Sequence, residues 1–348
     1  MNSMERVVKA LNHEEPDRVP VYQLIAGGAR RLVNASYPEW STNADICAES
    51  LIKAREQFGM DCLVTLIDLS VECTAWGQEL IYPETEAAHP NYKNCVVQDI
   101  DDYDKIQKVD YRTCDRMMMH IDVCKKLVED GKKNHYPVIA FVFGPLGTLS
   151  MLRNQSEMYM DIMDDPDAVL EAATNIKDTL KDYCTAIMET GVNGIMFDTL
   201  FSSGSIMRKE MWEEMEGDLV QDLAEHVHSL GGLVMIHNCG EKIYFDAQIR
   251  RMHPEAISCL YPADDCESFE ELKEKYGDKT TIIGCVPPTN IAFGTDEEFE
   301  DLCKQSIDAM AKGGGFVLAP GCEYPANAAY DRANLMYKVA NEYGAYKK

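Results

Sequence analysis

The sequence predicts a single-domain closed (β/α)8 barrel, the TIM barrel, over residues 1–348. Eight apolar runs recur along the chain with amphipathic segments between them, which is the pattern of alternating strands and helices. Several of these runs stop where glycine or a polar residue begins, as strands do where they meet a loop. The predicted strands are residues 19–26, 62–68, 137–144, 194–199, 232–238, 256–262, 281–286 and 315–321.

The crossover helices are clearest in the middle of the chain. Residues 165–191 begin with an acidic turn and end at Gly191, and residues 207–232 run into two glycines at their C-terminal end. Residues 71–106 instead have the alternation and turn residues of a hairpin, where a crossover helix would follow strand two. We therefore predict that residues 71–106 are an excursion, inserted after the second strand, over the mouth of the barrel.

Composition excludes some classes of partner. The chain has 33 basic and 59 acidic residues, a net charge of −26, so a nucleic acid or an anionic membrane surface would repel it. No apolar stretch approaches the roughly 20 residues that span a bilayer. The 13 cysteines are odd in number and lack the regular spacing of a disulfide framework, and the first residues contain no apolar signal core. We expect a protein of the reducing cytoplasm.

Two strand ends carry residues that bind metals. His237 and Cys239 follow one apolar run, and Cys322 follows another in a Pro-Gly-Cys corner. A histidine and a cysteine two apart on an extended segment point to the same side, so both can reach one ion. In a closed barrel the strand ends share one face, which predicts a zinc site with three protein ligands and an open fourth position. Cys285 and Glu323 remain alternative ligands, and an incidental buried His and Cys remains the plainer interpretation of the H-x-C pair alone.

Two aspartates also end predicted strands. Asp68 closes the second and Asp198 closes the fourth. A carboxylate at the C-terminal end of a barrel strand points into the mouth, where it can orient a substrate or transfer a proton. Either residue could instead cap the helix that follows it. We predict a catalytic role for both.

The residues resemble the uroporphyrinogen decarboxylase superfamily and, within it, the zinc-dependent corrinoid methyltransferases. The resemblance spans nearly the whole chain. Its segments are EPDRVPV near the start, LIDLSVECTAWGQEL around Asp68, GPLGTLSML at 144–152, MDDPDAV at 163–169, IHNCG at 236–240 and GGFVLAPGC. An H-x-C pair followed far downstream by the cysteine of P-G-C is the specific signature of the methyltransferase branch. The resemblance implies that His237, Cys239 and Cys322 are the zinc ligands.

The chain departs from the decarboxylases near its N-terminus. Those enzymes hold the substrate carboxylates with an M-R-Q-A-G-R segment, whereas the corresponding region here reads LIAGGARRL. Arg30 and Arg31 are present but the motif is not, and an acidic protein would repel a polyanionic porphyrinogen. The departure disfavours decarboxylation, which is kept as an alternative of lower weight.

The resemblance implies methyl transfer between a small methylated substrate and a corrinoid. The D-x-H-x-x-G motif of corrinoid-binding domains is missing from this sequence, so we expect the corrinoid on a separate partner protein. A methoxylated aromatic donor, that is O-demethylation, is preferred because PGCEYPANAAYDR departs from the plainer continuation of the coenzyme M type enzymes. Methylcobalamin:thiol transfer remains the main alternative. A non-catalytic binding module, in which zinc fastens two loops, remains open as a different class.

Overall fold

A computed structural model describes residues 1–346 as an α/β fold around a curled parallel sheet of seven strands. The sheet order follows the chain, β1-β4-β5-β6-β7-β8-β9, and every neighbouring pair is parallel. A separate antiparallel pair is formed by β2 and β3. The strands are β1 (Leu63–Val64), β2 (Leu80–Ile81), β3 (His89–Pro90), β4 (Val138–Phe143), β5 (Gly194–Asp198), β6 (Leu233–Asn238), β7 (Ala256–Cys259), β8 (Thr281–Val286) and β9 (Phe316–Pro320).

Seven of the eight predicted strands are therefore in the sheet, and the first differs. Within residues 19–26, Val21 forms only an isolated parallel bridge to Leu318, and its carbonyl accepts a hydrogen bond of 2.9 Å from the Asp61 N–H. This short contact touches both edges of the sheet without forming a regular strand. The extended path cannot continue because Leu24 has a φ of +44°, in the left-handed region. The prediction of eight regular strands was wrong at this element.

Helices cover the outside of the sheet because parallel strands need long crossovers. The α-helices are α1 (Ser3–Leu11), α2 (Tyr37–Thr42), α3 (Ala44–Phe58), α4 (Asp115–Asn134), α5 (Pro145–Arg153), α6 (Gln155–Asp164), α7 (Pro166–Glu189), α8 (Lys209–Trp212), α9 (Asp218–Ser229), α10 (Phe245–Met252), α11 (Phe269–Tyr276), α12 (Pro288–Phe293), α13 (Asp296–Met310) and α14 (Asp331–Glu342). Short 3-10 helices occupy Ala26–Val33, Glu72–Trp76, Ile100–Lys105 and Tyr111–Thr113, and a π-helical turn occupies Glu213–Gly217.

The two helices that the sequence marks most clearly are present. The acidic start of residues 165–191 is an N-cap, because the Asp165 side chain accepts a hydrogen bond from the Ala168 N–H as α7 begins. Residues 207–232 form α8 and α9, joined through the π-helical turn. Among the residues that the structure describes, none of these helices combines the length and apolar character that a membrane crossing needs.

Residues 71–106 contain the 3-10 helix Glu72–Trp76, the β2–β3 hairpin and the 3-10 helix Ile100–Lys105. The hairpin pairs Leu80 with Pro90 and Ile81 with His89. Its placement as an excursion over a barrel mouth stays a prediction.

Candidate metal centre

Three predicted ligands meet where β6 and β9 end. His237 lies near the end of β6, Cys239 follows that strand directly, and Cys322 lies two residues beyond β9. One imidazole nitrogen of His237 and the sulfurs of Cys239 and Cys322 all lie within 4.8 Å of one another. His237 is buried, and both cysteines are partly buried. The structure thus brings together three side chains that are separated by up to 85 residues in the sequence.

The loop that carries Cys239 is held by its neighbours. Asn238 is fully buried, and its side-chain amide donates a hydrogen bond of 2.8 Å to the Thr199 carbonyl. The same side chain accepts a hydrogen bond of 2.9 Å from the Gly240 N–H. Because both contacts fix the turn after β6, the Cys239 thiol has a defined direction.

The loop that carries Cys322 depends on a close backbone approach. The Gly321 N–H donates a hydrogen bond of 2.9 Å to the Val286 carbonyl, which extends the pairing of β8 and β9 by one residue. A side chain at Gly321 would place its Cβ 2.6 Å from the Leu260 Cα. This explains why glycine precedes Cys322, since any other residue would push the loop away from β7.

His237 is oriented by a hydrogen bond from the next strand. It pairs with Ser258 in the register of β6 and β7, and its Nδ1 lies 3.1 Å from the Ser258 Oγ. This contact occupies Nδ1 and leaves Nε2 available to a metal ion. A partner on the second ring nitrogen is the arrangement that fixes metal-binding histidines in proteins.

The cluster favours one thiolate over two neutral thiols. Hydrogen bonds from Cys239 and from His237 lower the pKa of Cys322 to about 4, against the opposing effect of burial. The hydrogen bond with Cys322 and, as a smaller cause, burial raise the pKa of Cys239. Burial alone would lower the pKa of His237, but Cys322 and Asp198 raise it. Two sulfurs and an imidazole, with a sulfur already disposed to be anionic, form a donor set that fits zinc.

Glu323 lies beside the cluster, and Cys285 lies apart from it. Burial raises the pKa of Glu323 to about 8, and its Oε1 has no hydrogen-bond partner among residues 1–346. An unpaired buried oxygen next to Cys322 is consistent with a ligand or substrate at this place. The Cys285 sulfur contacts that of Cys259 at 3.6 Å and is not one of the three clustered atoms.

Asp68 is engaged by an arginine that the sequence did not indicate. Arg116, on α4, donates hydrogen bonds of 3.0 and 2.6 Å to the two Asp68 carboxylate oxygens, and both side chains are almost fully buried. Burial would lower the pKa of Arg116, but the Asp68 charge raises it above its usual value. The Ser70 N–H also donates to Asp68, at 2.9 Å. A carboxylate held in this way is suited to orienting a loop or a substrate, and less suited to exchanging a proton.

Asp198 lies closer to the cluster. It ends β5 and pairs with His237 in the register of β5 and β6. Burial raises the pKa of Asp198 to about 6, although the nearby His237 lowers it. Its carboxylate also accepts a hydrogen bond of 3.1 Å from the Leu200 N–H. A carboxyl group with a pKa near neutrality can hold or release a proton at physiological pH.

A cavity of about 280 Å³ adjoins these residues. Both predicted aspartates and all three predicted ligands line it. Part of its wall comes from the β2–β3 hairpin and the residues around it, namely Ala87, Ala88, His89, Pro90 and Tyr92. The remaining lining residues are Leu66, Leu69, Ser70, Phe141, Met151, Leu200 and Glu323. The cavity is large enough for a small molecule beside the cluster.

The sequence interpretation missed Arg116 and Ser258. Ser258 was in principle visible, because it is the third residue of the predicted strand 256–262, which follows the predicted strand of His237 along the chain. The sequence carried no signal for Arg116, which lies 48 residues from Asp68 and on helix α4, whereas Asp68 lies in the segment after β1.

Comparison with known proteins places these observations in context. The sequence profile of the uroporphyrinogen decarboxylase (URO-D) family matches residues 2–343. No curated protein sequence matches the chain. A methyltransferase from Methanosarcina mazei superimposes with a TM-score of 0.79 at 19% identity, covering 99% of this chain and 100% of the other. A B12-independent methionine synthase from a Shewanella species, in complex with selenomethionine, gives 0.58 at 14% identity, covering 93% and 96%.

Proposed function

The chain belongs to the uroporphyrinogen decarboxylase family, and on that premise we propose that it is a zinc-dependent methyltransferase. It moves a methyl group between a small methylated compound and the corrinoid of a separate protein. The donor is a methoxylated aromatic, so the reaction is an O-demethylation. The predicted family is confirmed by the profile match, and the fold of a methyltransferase supports the reaction class.

The observation that carries this proposal is the position of the His237, Cys239 and Cys322 cluster beside a cavity. We infer that residues 20–22, which contact both edge strands of the curled sheet, close it into a barrel, so that the strand ends form one mouth. Zinc held by the three residues would supply Lewis-acid polarisation to the ether oxygen of a methyl donor, or lower the pKa of a thiol in the opposite direction of transfer. A structural zinc site closes with four protein ligands, whereas three leave room for a reactant.

The residues around the cluster orient the ligand and the substrate, exchange a proton and exclude water. Ser258 holds the His237 ring in one orientation. Asp68, fixed by Arg116, orients the wall of the cavity and the substrate against it. Asp198 holds or releases a proton at its carboxylate, where demethylation leaves a new hydroxyl group. The apolar wall, with Phe141 and other residues, packs against an aromatic ring and excludes water.

The arginine contacts disfavour decarboxylation. Arg30 takes part in the region that corresponds to the carboxylate-gripping segment of the decarboxylases. Its guanidinium donates hydrogen bonds to the carbonyls of Gly27, Thr85 and Ala326 and to the side chain of Asn327, so its donors are already used by the protein. A polycarboxylate substrate would find no equivalent contact there.

A partner protein brings the corrinoid, and residues 71–106 form part of the surface that it meets. This placement follows from the hairpin residues that line the cavity, among them Ala88 and His89. All 13 cysteines are free, which favours a reducing compartment, and we place the protein in the cytoplasm.

A zinc-fastened binding module is the second candidate, and Glu323 favours it. Its unpaired buried oxygen could complete four protein ligands and close the site. Methyl transfer from methyl-cobalt to a thiol, the main alternative reaction, would use the same three zinc ligands, His237, Cys239 and Cys322.

The test is incubation of the zinc-loaded protein with a reduced corrinoid protein and a panel of methoxyaromatics, methanol, methylamines and thiols. The cobalt absorption spectrum reports methylation. The proposal predicts methyl-cobalt formation from a methoxyaromatic and no reaction after zinc removal. Demethylation of methyl-cobalt by a thiol alone would support the thiol reaction, and inertness toward the whole panel would favour the binding module.

A further inference from the structure

We propose that the cavity beside the metal cluster selects an uncharged methyl donor and rejects compounds that carry a carboxylate, phosphate or sulfonate group. This inference rests on the proposed function, because it specifies which methylated compounds the same site accepts. It depends on the charges that surround the cavity rather than on the metal itself.

The lining offers an anion no permanent positive partner. Among residues 1–346, the side chains that line the cavity include no lysine and no arginine. The acidic groups in the lining are Asp68, Asp198 and Glu323. Whether these carboxyl groups are ionised or protonated, they contribute negative charge or none. An anionic substrate would therefore lose its hydration without gaining an ion pair.

Two arginines near the site, Arg116 and Arg30, already use their terminal nitrogens in contacts within the protein. Arg116 places two nitrogens on the two oxygens of Asp68 and one of them also on the Ser41 carbonyl. This pair brings a net charge of zero to the wall of the cavity. Arg30 is committed to the loop contacts described above. Neither guanidinium is free to take a carboxylate without breaking contacts that hold the fold.

A loaded metal cluster does not change this balance. Two thiolates, from Cys239 and Cys322, together with a neutral His237, offset the two positive charges of zinc. The cluster therefore adds no net positive charge that would attract a remote anionic group. The lining also includes the imidazole of His89, which is exposed on the hairpin and whose Nδ1 lies 3.1 Å from the Pro90 carbonyl.

The rest of the wall suits an apolar body. Leu66, Leu69 and Phe141 line the cavity, and Met151 lies against Tyr92, whose hydroxyl contacts the sulfur at 3.3 Å. A ring with a neutral polar substituent loses little hydration in such a site, whereas a ring with a carboxylate loses much more. We expect a discrimination of about 100-fold or more in kcat/KM between two such ligands of equal shape.

The experiment compares 4-methoxybenzamide with 4-methoxybenzoate, which differ little in shape but differ in charge. The zinc-loaded full chain is assayed at pH 8 with a reduced corrinoid, and the cobalt spectrum is followed. The inference predicts that kcat/KM for the amide exceeds that for the benzoate by about 100-fold or more. Equal rates, or a faster benzoate, would overturn it.

Calorimetric binding to the zinc-loaded protein separates this inference from the proposed function. If neither ether gives up its methyl group, the proposed function fails for these donors, but binding still decides the charge selection. Tighter binding of the amide supports selection, and equal binding, tighter benzoate binding or no binding of either compound overturns it.

A charge-adding variant gives an independent check. Met151→Lys introduces one cation into the lining, and Met151→Gln is the neutral control of similar length. Met151 is partly buried, so a longer polar side chain can be accommodated. We expect Met151→Lys to raise the benzoate-to-amide ratio of kcat/KM, or of affinity, about tenfold above the ratio for Met151→Gln. The same ratio in both variants would show that lining charge does not control selection.

Discussion

The hydrogen bond between Ser258 and His237 gives a sharp test of how the metal centre is built. Ser258→Ala removes the Oγ that lies 3.1 Å from Nδ1 and leaves the three proposed ligands in place. Since both residues are buried, no solvent molecule readily replaces the lost contact. Loss of such a partner typically weakens metal binding about 10- to 100-fold, which corresponds to roughly 1.4 to 2.7 kcal/mol.

The zinc dissociation constant is measured by titrating the loaded protein with a chromogenic chelator of known affinity. Ser50→Ala is the matched control, because it removes a buried serine hydroxyl that contacts the Trp40 indole at 2.7 Å and lies on α3. We expect the control to bind zinc as the parent protein does. If Ser258→Ala retained the parent affinity, or if both variants lost affinity equally, His237 would not be oriented as we infer.

Three further predictions concern the same fold and site. Cys239→Ser should abolish zinc binding and methyl transfer together, while the circular dichroism spectrum stays unchanged. The control variant Cys285→Ser should still bind zinc. Turnover by zinc-free Cys239→Ser would refute the ligand assignment. Burial raises the pKa of Glu72 from 4.5 to about 8, so this group stabilises the fold below pH 4.5 and loses that contribution as the pH rises toward 8. Glu72→Gln should therefore gain roughly 3 kcal/mol of unfolding free energy relative to the parent between pH 5 and pH 8, measured with urea, and a pH-independent difference would contradict the shift. Arg116→Met leaves the Asp68 carboxylate buried without its partner and should lower the unfolding free energy by about 3 to 5 kcal/mol, with partial recovery when Asp68→Asn is added; no loss in the single variant would argue against the ion pair.

The strands could be predicted where burial on both faces leaves an uninterrupted apolar run. Residues 137–144 and 281–286 are such runs, and they form β4 and β8 almost at the predicted bounds. The run at 19–26 is also mostly apolar, yet it does not form a regular strand. The positive φ of Leu24 directs the chain into the 3-10 helix Ala26–Val33, and a leucine does not predict that backbone conformation.

The metal ligands of the candidate site could be predicted from the sequence, but most of the residues that hold the site in place could not. His237, Cys239 and Cys322 lie at or just beyond the C-terminal ends of two strands. Because the strands are parallel, the topology alone brings these residues to the same end of the sheet. Arg116 reaches Asp68 from a helix face, and such a contact depends on how α4 packs rather than on any local pattern. The contribution of the hairpin to the cavity likewise depends on its tertiary position.

Zinc K-edge absorption spectroscopy on the resting, zinc-loaded protein reports whether His237, Cys239 and Cys322 hold zinc with one position left open. We expect two sulfur ligands, one imidazole nitrogen and one light-atom ligand that is exchanged when substrate is added. A zinc ion with four protein ligands that substrate leaves unchanged, or a coordination shell without sulfur, would contradict this expectation.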